Sequence, residues 1–382
     1  MSMTDLIIGP VELLIFQSTS FCNLDCKYCY LPDRNSKNRI DLEKIKITFQ
    51  KLIEESLIGD ELSIVWHAGE PTVVPIDFYK QVNKLVQDII PNNVKVNFHI
   101  QTNATLLNDE WCEFFIDSNM QVGVSIDGPK HINDRNRISR NAKGSFDQVI
   151  NGINLLKKYN IDFTVIAVLT DYSLSYPEEI YDFFKELGVK ELGFNMDEEE
   201  GVYTKSTFDY STNSKFKAFW TKIFELQLRM DNYIRIREIH GFTQTLLGNN
   251  FTSENYSYGP MTHPMSILSI DTNGNFSTFS PELLGMKNEK YTDFNFGNVM
   301  TDSFRSINRN EKFKSVHNDI LEGIKKCNET CDYFSFCGGG APSNKLYENG
   351  TFDSTETKYC IYSKKLLIDV FLDKIEKDLN IK

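Results

Sequence analysis

The 382-residue sequence has no stretch that approaches the roughly 20 uncharged apolar residues that a membrane-spanning helix needs. Its longest apolar runs, such as residues 164–169, have the length of β-strands. It also lacks an N-terminal basic region followed by a long apolar one, which is the pattern of an export signal. We therefore expect a cytoplasmic protein that does not have a membrane as a partner.

An excess of basic residues is also missing. The chain has 41 Lys and Arg against 53 Asp and Glu, which gives a net charge of −12. Proteins that bind nucleic acid need a basic face to neutralise phosphates, so a nucleic-acid partner is not expected. Hydrophobic residues at 41% and charged residues at 25% are ordinary for a globular protein. That composition excludes collagen, low-complexity disorder and a small disulfide-dense scaffold.

Eight cysteines are present, and seven of them are clustered. Disulfides are not expected in a reducing compartment, so the clustering indicates metal chemistry. The lone Cys112 stands in a helical pattern beside two phenylalanines and is predicted to be a buried, inert thiol. The two clusters are Cys22, Cys26 and Cys29, and then Cys327, Cys331, Cys337 and Cys360.

Short β-type runs alternate with amphipathic segments in the first half of the chain. Such alternation predicts parallel strands joined by right-handed helical crossovers. Six repeats fall short of the eight that close a full barrel, so we predict an α/β fold with a partial (β/α)6 TIM-like barrel. The predicted strands are residues 12–19, 62–68, 94–101, 122–126, 163–170 and 191–196, and the predicted helices are residues 41–57, 76–90, 108–118, 145–159 and 177–187.

The second half is different in composition. We predict a barrel over residues 1–213, a helical bridge over 214–262 and a Cys-rich extension over 263–382, with a boundary in the Asn-, Ser- and Tyr-rich stretch 249–264. The extension contains a predicted hairpin, 267–270 and 276–279, with an Asn-Gly turn, and ends in an amphipathic helix. We expect metal to hold barrel and extension together. The acidic stretch 197–201 is predicted to be a solvated loop.

The first cysteine group follows the first predicted strand, at the barrel end that carries the chemistry. Three thiolates can hold three irons of a [4Fe–4S] cluster and leave the fourth iron open. A structural zinc site normally needs four ligands, and no obvious fourth lies nearby in the sequence.

The run Cys-Asn-Leu-Asp-Cys-Lys-Tyr-Cys, residues 22–29, resembles the signature of the radical S-adenosylmethionine (SAM) superfamily. Tyr28 is its aromatic residue before the third cysteine. The resemblance implies that the open iron binds SAM, and that reductive cleavage of SAM yields methionine and a 5′-deoxyadenosyl radical. It also implies a low-potential electron donor of the flavodoxin or ferredoxin type.

Other segments resemble the same superfamily. Residues 67–72 are similar to its Gly-Gly-Glu-Pro element, which implies that the Gly69–Glu70 region contacts the SAM amino group. Asn103 and Ser125 end the third and fourth strands and resemble segments that approach the SAM ribose and carboxylate.

Two further residues are candidate SAM contacts. Arg137, in an Asp134-x2-Arg137 pair, resembles a residue that meets the SAM carboxylate, and a surface ion pair is its alternative. Asn195 could reach the adenosine from the sixth strand.

The second cysteine group supplies four thiolates, which can close a [4Fe–4S] cluster or hold zinc. The run Cys331 to Gly340, with the distant Cys360, resembles the SPASM extension of radical SAM peptide-modifying enzymes. That extension usually has cysteines for a second auxiliary cluster. It has three such cysteines, two around the hairpin and one four residues after Cys337. Here residues 261–310 contain no cysteine, and Ala341 stands four residues after Cys337. Two [4Fe–4S] clusters are therefore expected, one SAM-binding and one auxiliary.

Residues 278–285, 296–299 and 341–345 together resemble maturases that crosslink ribosomally made precursor peptides into cyclophanes. The implied function is a radical SAM oxidoreductase that joins side chains of a precursor peptide. Glu282 is a candidate catalytic residue that contacts the substrate, although it could simply start a helix after Pro281. The auxiliary cluster would accept an electron or be structural. Thioether formation, epimerisation, sulfatase-type maturation and a non-catalytic metal-binding scaffold remain open.

Overall fold

The computed structural model describes residues 7–228, 234–247 and 259–378 of the chain. Its core is a sheet whose first six strands pair in parallel and in chain order. This confirms the predicted partial barrel. These strands are β1 (Val11–Phe16), β2 (Ile58–Trp66), β3 (Lys95–Thr102), β4 (Gln121–Ser125), β5 (Phe163–Leu169) and β6 (Glu191–Met196).

Helices connect these strands and cover the outer face of the sheet. The side chains of Asp41 and Asn108 cap two of them by accepting backbone hydrogen bonds at the helix start. The short α4, which follows β4, was not predicted. The helices of the barrel are α1 (Leu42–Glu54), α2 (Ile76–Ile89), α3 (Asp109–Asp117), α4 (Lys130–Asn136), α5 (Phe146–Lys158) and α6 (Pro177–Glu186). Cys112 is buried on α3, as predicted.

Two helices and a two-residue strand follow the barrel. They are α7 (Asn213–Gln227), β7 (Arg235–Ile236) and α8 (Arg237–Leu247). Most of the predicted boundary at 249–264 lies outside the described residues. No helix in the described ranges is long and apolar enough to cross a membrane.

The extension begins with the predicted hairpin and continues into helices that carry the second cysteine group. The 20-residue helix α9 was not predicted, because His317 and Gly323 interrupt the apolar pattern of its buried face. The strands are β8 (Ile267–Ile270), β9 (Asn275–Thr278), β10 (Lys287–Asn288), β11 (Thr292–Asp293) and β12 (Gly297–Asn298). The helices are α9 (Glu311–Thr330), α10 (Phe334–Cys337), α11 (Pro342–Asn349), α12 (Lys358–Cys360) and α13 (Leu367–Asp378), with a π-helical segment, Ile361–Leu366, between the last two.

The hairpin is part of the barrel sheet. Strand β8 pairs in parallel with β1, from Leu13 opposite Ile267 to Phe16 opposite Ile270, and β9 then pairs antiparallel with β8. One ten-stranded sheet therefore runs in the order β12-β9-β8-β1-β2-β3-β4-β5-β6-β7. A single cluster of buried apolar side chains includes residues of the barrel and of the extension. Backbone pairing and a shared core thus connect the two parts.

Helix α1 provides a second connection. The ammonium of Lys51 donates hydrogen bonds to the carbonyl oxygens of Val299 and Asp302, at 2.6 and 2.7 Å. One turn later, the Glu55 carboxylate accepts from the backbone N–H groups of Phe304 and Arg305, at 3.2 and 2.8 Å. These bonds attach the segment 299–305 of the extension to the barrel.

Replacing Lys51 with methionine tests this connection. A hydrogen bond to a charged group contributes about 1.5–3 kcal/mol to stability. Lys51→Met should therefore lower the free energy of local opening at residues 299–305 by about 1–3 kcal/mol. Amide hydrogen exchange followed by mass spectrometry should show faster exchange in this segment and unchanged exchange in β3. Lys46→Met, elsewhere on α1, is the control. Unchanged exchange at 299–305 in Lys51→Met would show that the connection contributes nothing.

Candidate functional site

The carboxyl ends of the parallel strands surround a cavity of about 240 Å³. Its lining includes the first cysteine group and every residue predicted to contact SAM. These residues lie at or after the carboxyl ends of five different strands, β1, β2, β3, β4 and β6, so the fold brings distant parts of the sequence together. They are Cys22, Cys26, Tyr28, Cys29, Gly69, Glu70, Asn103, Ser125, Arg137 and Asn195. Their individual roles stay predictions.

The three cysteines lie on the loop that leaves β1. The backbone N–H of Leu24 donates to the Cys22 sulfur at 3.4 Å, and the Asn103 amide lies 3.8 Å from the same sulfur. Burial, followed by the nearby Glu70 charge, raises the pKa of the Cys22 thiol to about 12, and burial raises that of Cys26 to about 11. These thiols therefore need the positive charge of a bound metal to become thiolates. The donor set fits an iron–sulfur cluster held by three thiolates.

A buried ion pair fixes the Cys loop against the barrel. Asp127, after β4, accepts hydrogen bonds from Arg137 Nε at 2.9 Å, from the Tyr28 hydroxyl at 2.5 Å and from the Val168 backbone at 3.0 Å. The Arg137 guanidinium also lies over the Tyr28 ring, 5.5 Å from its centroid. Only 7% of Arg137 is exposed, so the alternative of a surface ion pair is wrong. Its carboxylate partner is Asp127, whereas Asp134 accepts from the Phe146 backbone at 2.8 Å.

Glu70 holds two strand ends together. One carboxylate oxygen accepts from the backbone and hydroxyl of Thr72, at 3.0 and 2.6 Å, and from the Thr102 hydroxyl at 2.6 Å. The other oxygen accepts from the Asn103 backbone at 2.7 Å. Four protein donors therefore surround this carboxylate, and the contact of the Gly69–Glu70 region with the SAM amino group stays a prediction. A Cβ at Gly69, where φ is +73°, would lie 2.3 Å from the Thr19 carbonyl oxygen, so only glycine fits.

The other predicted SAM contacts have protein partners of their own. The Ser125 hydroxyl accepts from the Gln101 amide at 2.8 Å, and the Asn103 amide donates to Asn23 at 2.9 Å. The side-chain oxygen of Asn195, Oδ1, accepts from the Arg237 guanidinium of α8 at 2.9 Å. These bonds fix the side chains that line the cavity in one orientation.

The second cysteine group lines a separate cavity of about 220 Å³ in the extension. Cys327 lies in α9, Cys331 directly follows it, and Cys337 and Cys360 end α10 and α12. Among the described residues, no three His, Cys, Asp or Glu side chains converge closely enough to hold a single metal ion. Zinc needs four sulfurs at about 2.3 Å from one ion, whereas the thiolates of a cubane bind different irons. Four cysteine thiols on one cavity are a donor set that fits a closed [4Fe–4S] cluster, and the auxiliary cluster stays a prediction.

Comparison with known proteins decides the family. The model of the Radical SAM superfamily matches residues 16–184, which include the first cysteine group and most of the barrel. The chain belongs to the radical SAM superfamily. It is therefore a radical SAM enzyme, and not the non-catalytic scaffold left open above. Membership implies SAM and a [4Fe–4S] cluster, which the first cavity and its three cysteines fit.

Full-length relatives extend the similarity to the extension. An uncharacterized protein of Synechocystis is 40% identical over 378 residues, which cover 98% of this chain and 94% of that protein. A cysteine-type anaerobic sulfatase-maturating enzyme of Clostridium novyi is 28% identical over 359 residues, covering 90% and 91%. The radical SAM enzyme is thus similar to a protein maturase over 90% of its length.

Two solved structures share the fold. The sulfatase-maturating enzyme anSMEcpe, solved with AdoMet and the Cp18Cys peptide, has a TM-score of 0.77 at 23% identity and covers 97% of this chain and 99% of its own. SuiB of Streptococcus suis, bound to its precursor peptide SuiA, has a TM-score of 0.65 at 17% identity and covers 93% and 76%. Both support the prediction of a SPASM-type radical SAM architecture.

We call the cavity at the carboxyl ends of the strands the SAM cavity. A larger cavity of about 460 Å³ adjoins it in this radical SAM enzyme. Its walls come from α7, α8 and the extension, with Trp220, Phe242 and Phe336 among the apolar side chains. Its volume is within the range of sites that take small molecules or a few side chains. The two cavities share the residues Asn195, Met196, Glu198, Glu200 and Glu282.

The acidic stretch after β6 lines these cavities, so the predicted solvated loop is wrong. Asp197 and Glu200 are only 2% and 7% exposed, and Glu198 lines both cavities. The loop turns inward because α11 supplies polar partners, and Asn344 donates to Glu198 and to Glu200. The sequence feature that indicates a cavity-lining loop here is its position directly after the sixth strand, at the barrel end that carries the cavity.

Glu198, Glu200 and Glu282 form an acidic cluster at the junction of the cavities. Burial, followed by the Glu282 charge, raises the pKa of Glu198 to about 8, and burial also raises the pKa of Glu200 and of Glu282. The three cannot all ionise cheaply near neutral pH, because like charges in a buried site repel. The cluster can therefore hold a proton or accept one from a bound substrate.

Glu198→Gln should change how stability depends on pH. Folding raises the Glu198 pKa from 4.5 to about 8, so the native state retains a proton that the unfolded chain releases. The stability from that proton is complete below about pH 4.5 and is lost as the pH rises to about 8. Between about pH 6 and 8, the anaerobic unfolding temperature of the wild type should therefore fall more steeply than that of Glu198→Gln. The exposed Glu113→Gln serves as control, and parallel curves for wild type and Glu198→Gln would contradict the raised pKa.

Proposed function

We propose that this radical SAM enzyme modifies a ribosomally made precursor peptide and forms a carbon–carbon crosslink between two side chains, giving a cyclophane. The observation that carries the proposal is the direct junction between the SAM cavity and the larger cavity. A substrate side chain in the larger cavity would lie beside the SAM-binding residues through Asn195 and Met196. The peptides bound by anSMEcpe and SuiB make a peptide the favoured substrate class.

The residues of this chain would divide the work as follows. Cys22, Cys26 and Cys29 would hold the SAM-binding cluster, and the Asp127–Arg137 pair would fix the Cys loop through Tyr28. When bound, the cluster and SAM supply a 5′-deoxyadenosyl radical that removes a hydrogen atom from a substrate side chain.

The acidic cluster would handle the proton. Closing a crosslink after loss of one hydrogen atom also releases one proton and one electron from the substrate. Glu282 and Glu198 line both cavities and would accept that proton, which is the role of a general base. The apolar walls of the larger cavity would exclude water from the substrate radical.

A second candidate is maturation of a sulfatase. The 28% and 27% identities to the cysteine-type enzyme of Clostridium novyi and the serine-type enzyme of Bacteroides thetaiotaomicron, over 90% and 88% of this chain, favour it. The missing cysteines, in residues 261–310 and at Ala341, favour the peptide crosslink, because a full SPASM extension has cysteines there for a second auxiliary cluster.

Two peptides separate the candidates. One is the product of a short open reading frame beside the gene, and the other is an active-site peptide of a sulfatase. The first should lose two hydrogens in mass spectrometry after reaction with SAM and reductant, and fragmentation should place the link on an aromatic residue. Glu282→Gln should lower crosslink formed per SAM cleaved by about 10²-fold or more, because the general base is lost. The exposed Glu289→Gln should match wild type.

Modification of the sulfatase peptide alone would favour the second candidate. A crosslink in which sulfur is joined to carbon would indicate thioether chemistry instead. Full crosslinking by Glu282→Gln would contradict the role of the acidic cluster as proton acceptor.

A further inference from the structure

Lys345 of α11 is buried against the second cysteine group. Only 4% of this residue is exposed, and its ammonium lies 3.4 Å from the Cys327 sulfur. Among the residues that the structure describes, it forms no ion pair with a carboxylate and no other hydrogen bond. Lys365, which lines the same cavity, differs in this respect because it pairs with Glu356.

Close packing against α9 fixes the position of the Lys345 ammonium. A Cβ at Gly323 of α9 would lie 3.1 Å from the Lys345 nitrogen and 2.3 Å from the Phe352 carbonyl oxygen. A glycine at this point of α9 therefore leaves room both for the lysine and for the backbone near residue 352. The ammonium cannot reach solvent without a rearrangement of these elements.

An ammonium that is taken out of water without a counter-charge is strongly destabilising. Within the described part of the chain, the hydrogen-bond partner of this ammonium is the Cys327 thiol, and the other three cysteines of the group line the same cavity. Four thiolates around a [4Fe–4S] core give a net charge of −2 in the oxidised state, and −3 after one electron is added. Such an anion supplies the missing counter-charge, and Lys345 stabilises its more negative state more strongly.

We propose that Lys345 raises the reduction potential of the auxiliary cluster and so favours uptake of one electron. The inference rests on the proposed function, because the electron is the one released when the substrate crosslink closes. In this step the substrate is oxidised by one electron, the cluster core is reduced from +2 to +1, and Lys345 keeps its proton. Lys345 acts through Cys327 and is a positioning residue that does not touch the substrate.

The test is a redox titration of the full-length holoenzyme, followed by electron paramagnetic resonance without peptide substrate. The auxiliary cluster is identified as the signal that SAM does not alter. In Lys345→Met the ratio of reduced to oxidised auxiliary cluster at a fixed potential should fall at least about tenfold, which is about 59 mV for one electron. Lys345→Arg keeps the charge and should stay near wild type.

Two controls separate charge from packing. Lys325→Met removes an exposed charge from α9 and should leave the potential unchanged. Lys345→Gln keeps a hydrogen-bond donor without the charge and should behave like Lys345→Met. Iron and sulfide content should equal that of the wild type in each variant.

Several results would overturn the inference. They are an unshifted potential in Lys345→Met with full iron content, a wild-type potential in Lys345→Gln, or zinc in place of iron at the second cysteine group. Loss of the auxiliary iron in both neutral variants would indicate a structural role and overturn it too. These readouts need no peptide, so a shifted potential without crosslinking would contradict the proposed function alone.

Discussion

The pairing of β8 with β1 is the constraint on which the rest of the structure depends. β1 leads directly into the loop of Cys22, Cys26 and Cys29, and the β8–β9 hairpin leads directly to Glu282. The register from Leu13–Ile267 to Phe16–Ile270 therefore sets the position of Glu282 relative to the Cys loop. A slip by one residue would turn every side chain of the hairpin to the opposite face. The barrel and extension are thus joined by backbone hydrogen bonds and by a shared apolar core.

The buried charged and titratable side chains near this β1–β8 pairing fall into three groups. Asp127 and Arg137 neutralise each other, and Glu70 is compensated by four donors, so both stabilise the loops that they join. Glu198, Glu200 and Glu282 instead lie together at the junction of the cavities, where burial raises the pKa of each carboxyl group. Lys345 is buried beside a thiol without a carboxylate. Burying titratable groups of this kind is costly for stability, and buried groups with perturbed pKa values are concentrated at functional sites.

Much of the barrel could be predicted, because its six strands and all of its helices except the short α4 have a clear local period. β6 was predicted with its observed ends, and the capping residues Asp41 and Asn108 marked where two helices begin. The residues that the family resemblance gave as SAM contacts all line one cavity, and their roles stay predictions. These features depend on short segments, whose pattern is visible in the sequence alone.

Features that depend on distant partners could not be predicted. The loop of Glu198 turns inward because Ser343 and Asn344 approach it from α11, about 145 residues away in the chain. The buried state of Lys345 depends on Gly323 in a helix that the apolar pattern did not reveal. The parallel pairing of β8 with β1 likewise joins segments separated by the whole barrel.

The central claim is that the cavity at the strand ends holds a cluster and SAM in a state that is ready for radical chemistry. The most direct measurement is the yield of 5′-deoxyadenosine and methionine when the anaerobically reconstituted, reduced protein is mixed with SAM. The account predicts formation of both products by the wild type and none by Cys26→Ala, while Cys112→Ala, at the buried thiol outside both cysteine groups, keeps the activity. Equal yields from wild type and Cys26→Ala, or no 5′-deoxyadenosine from a wild-type protein with full iron content, would contradict it.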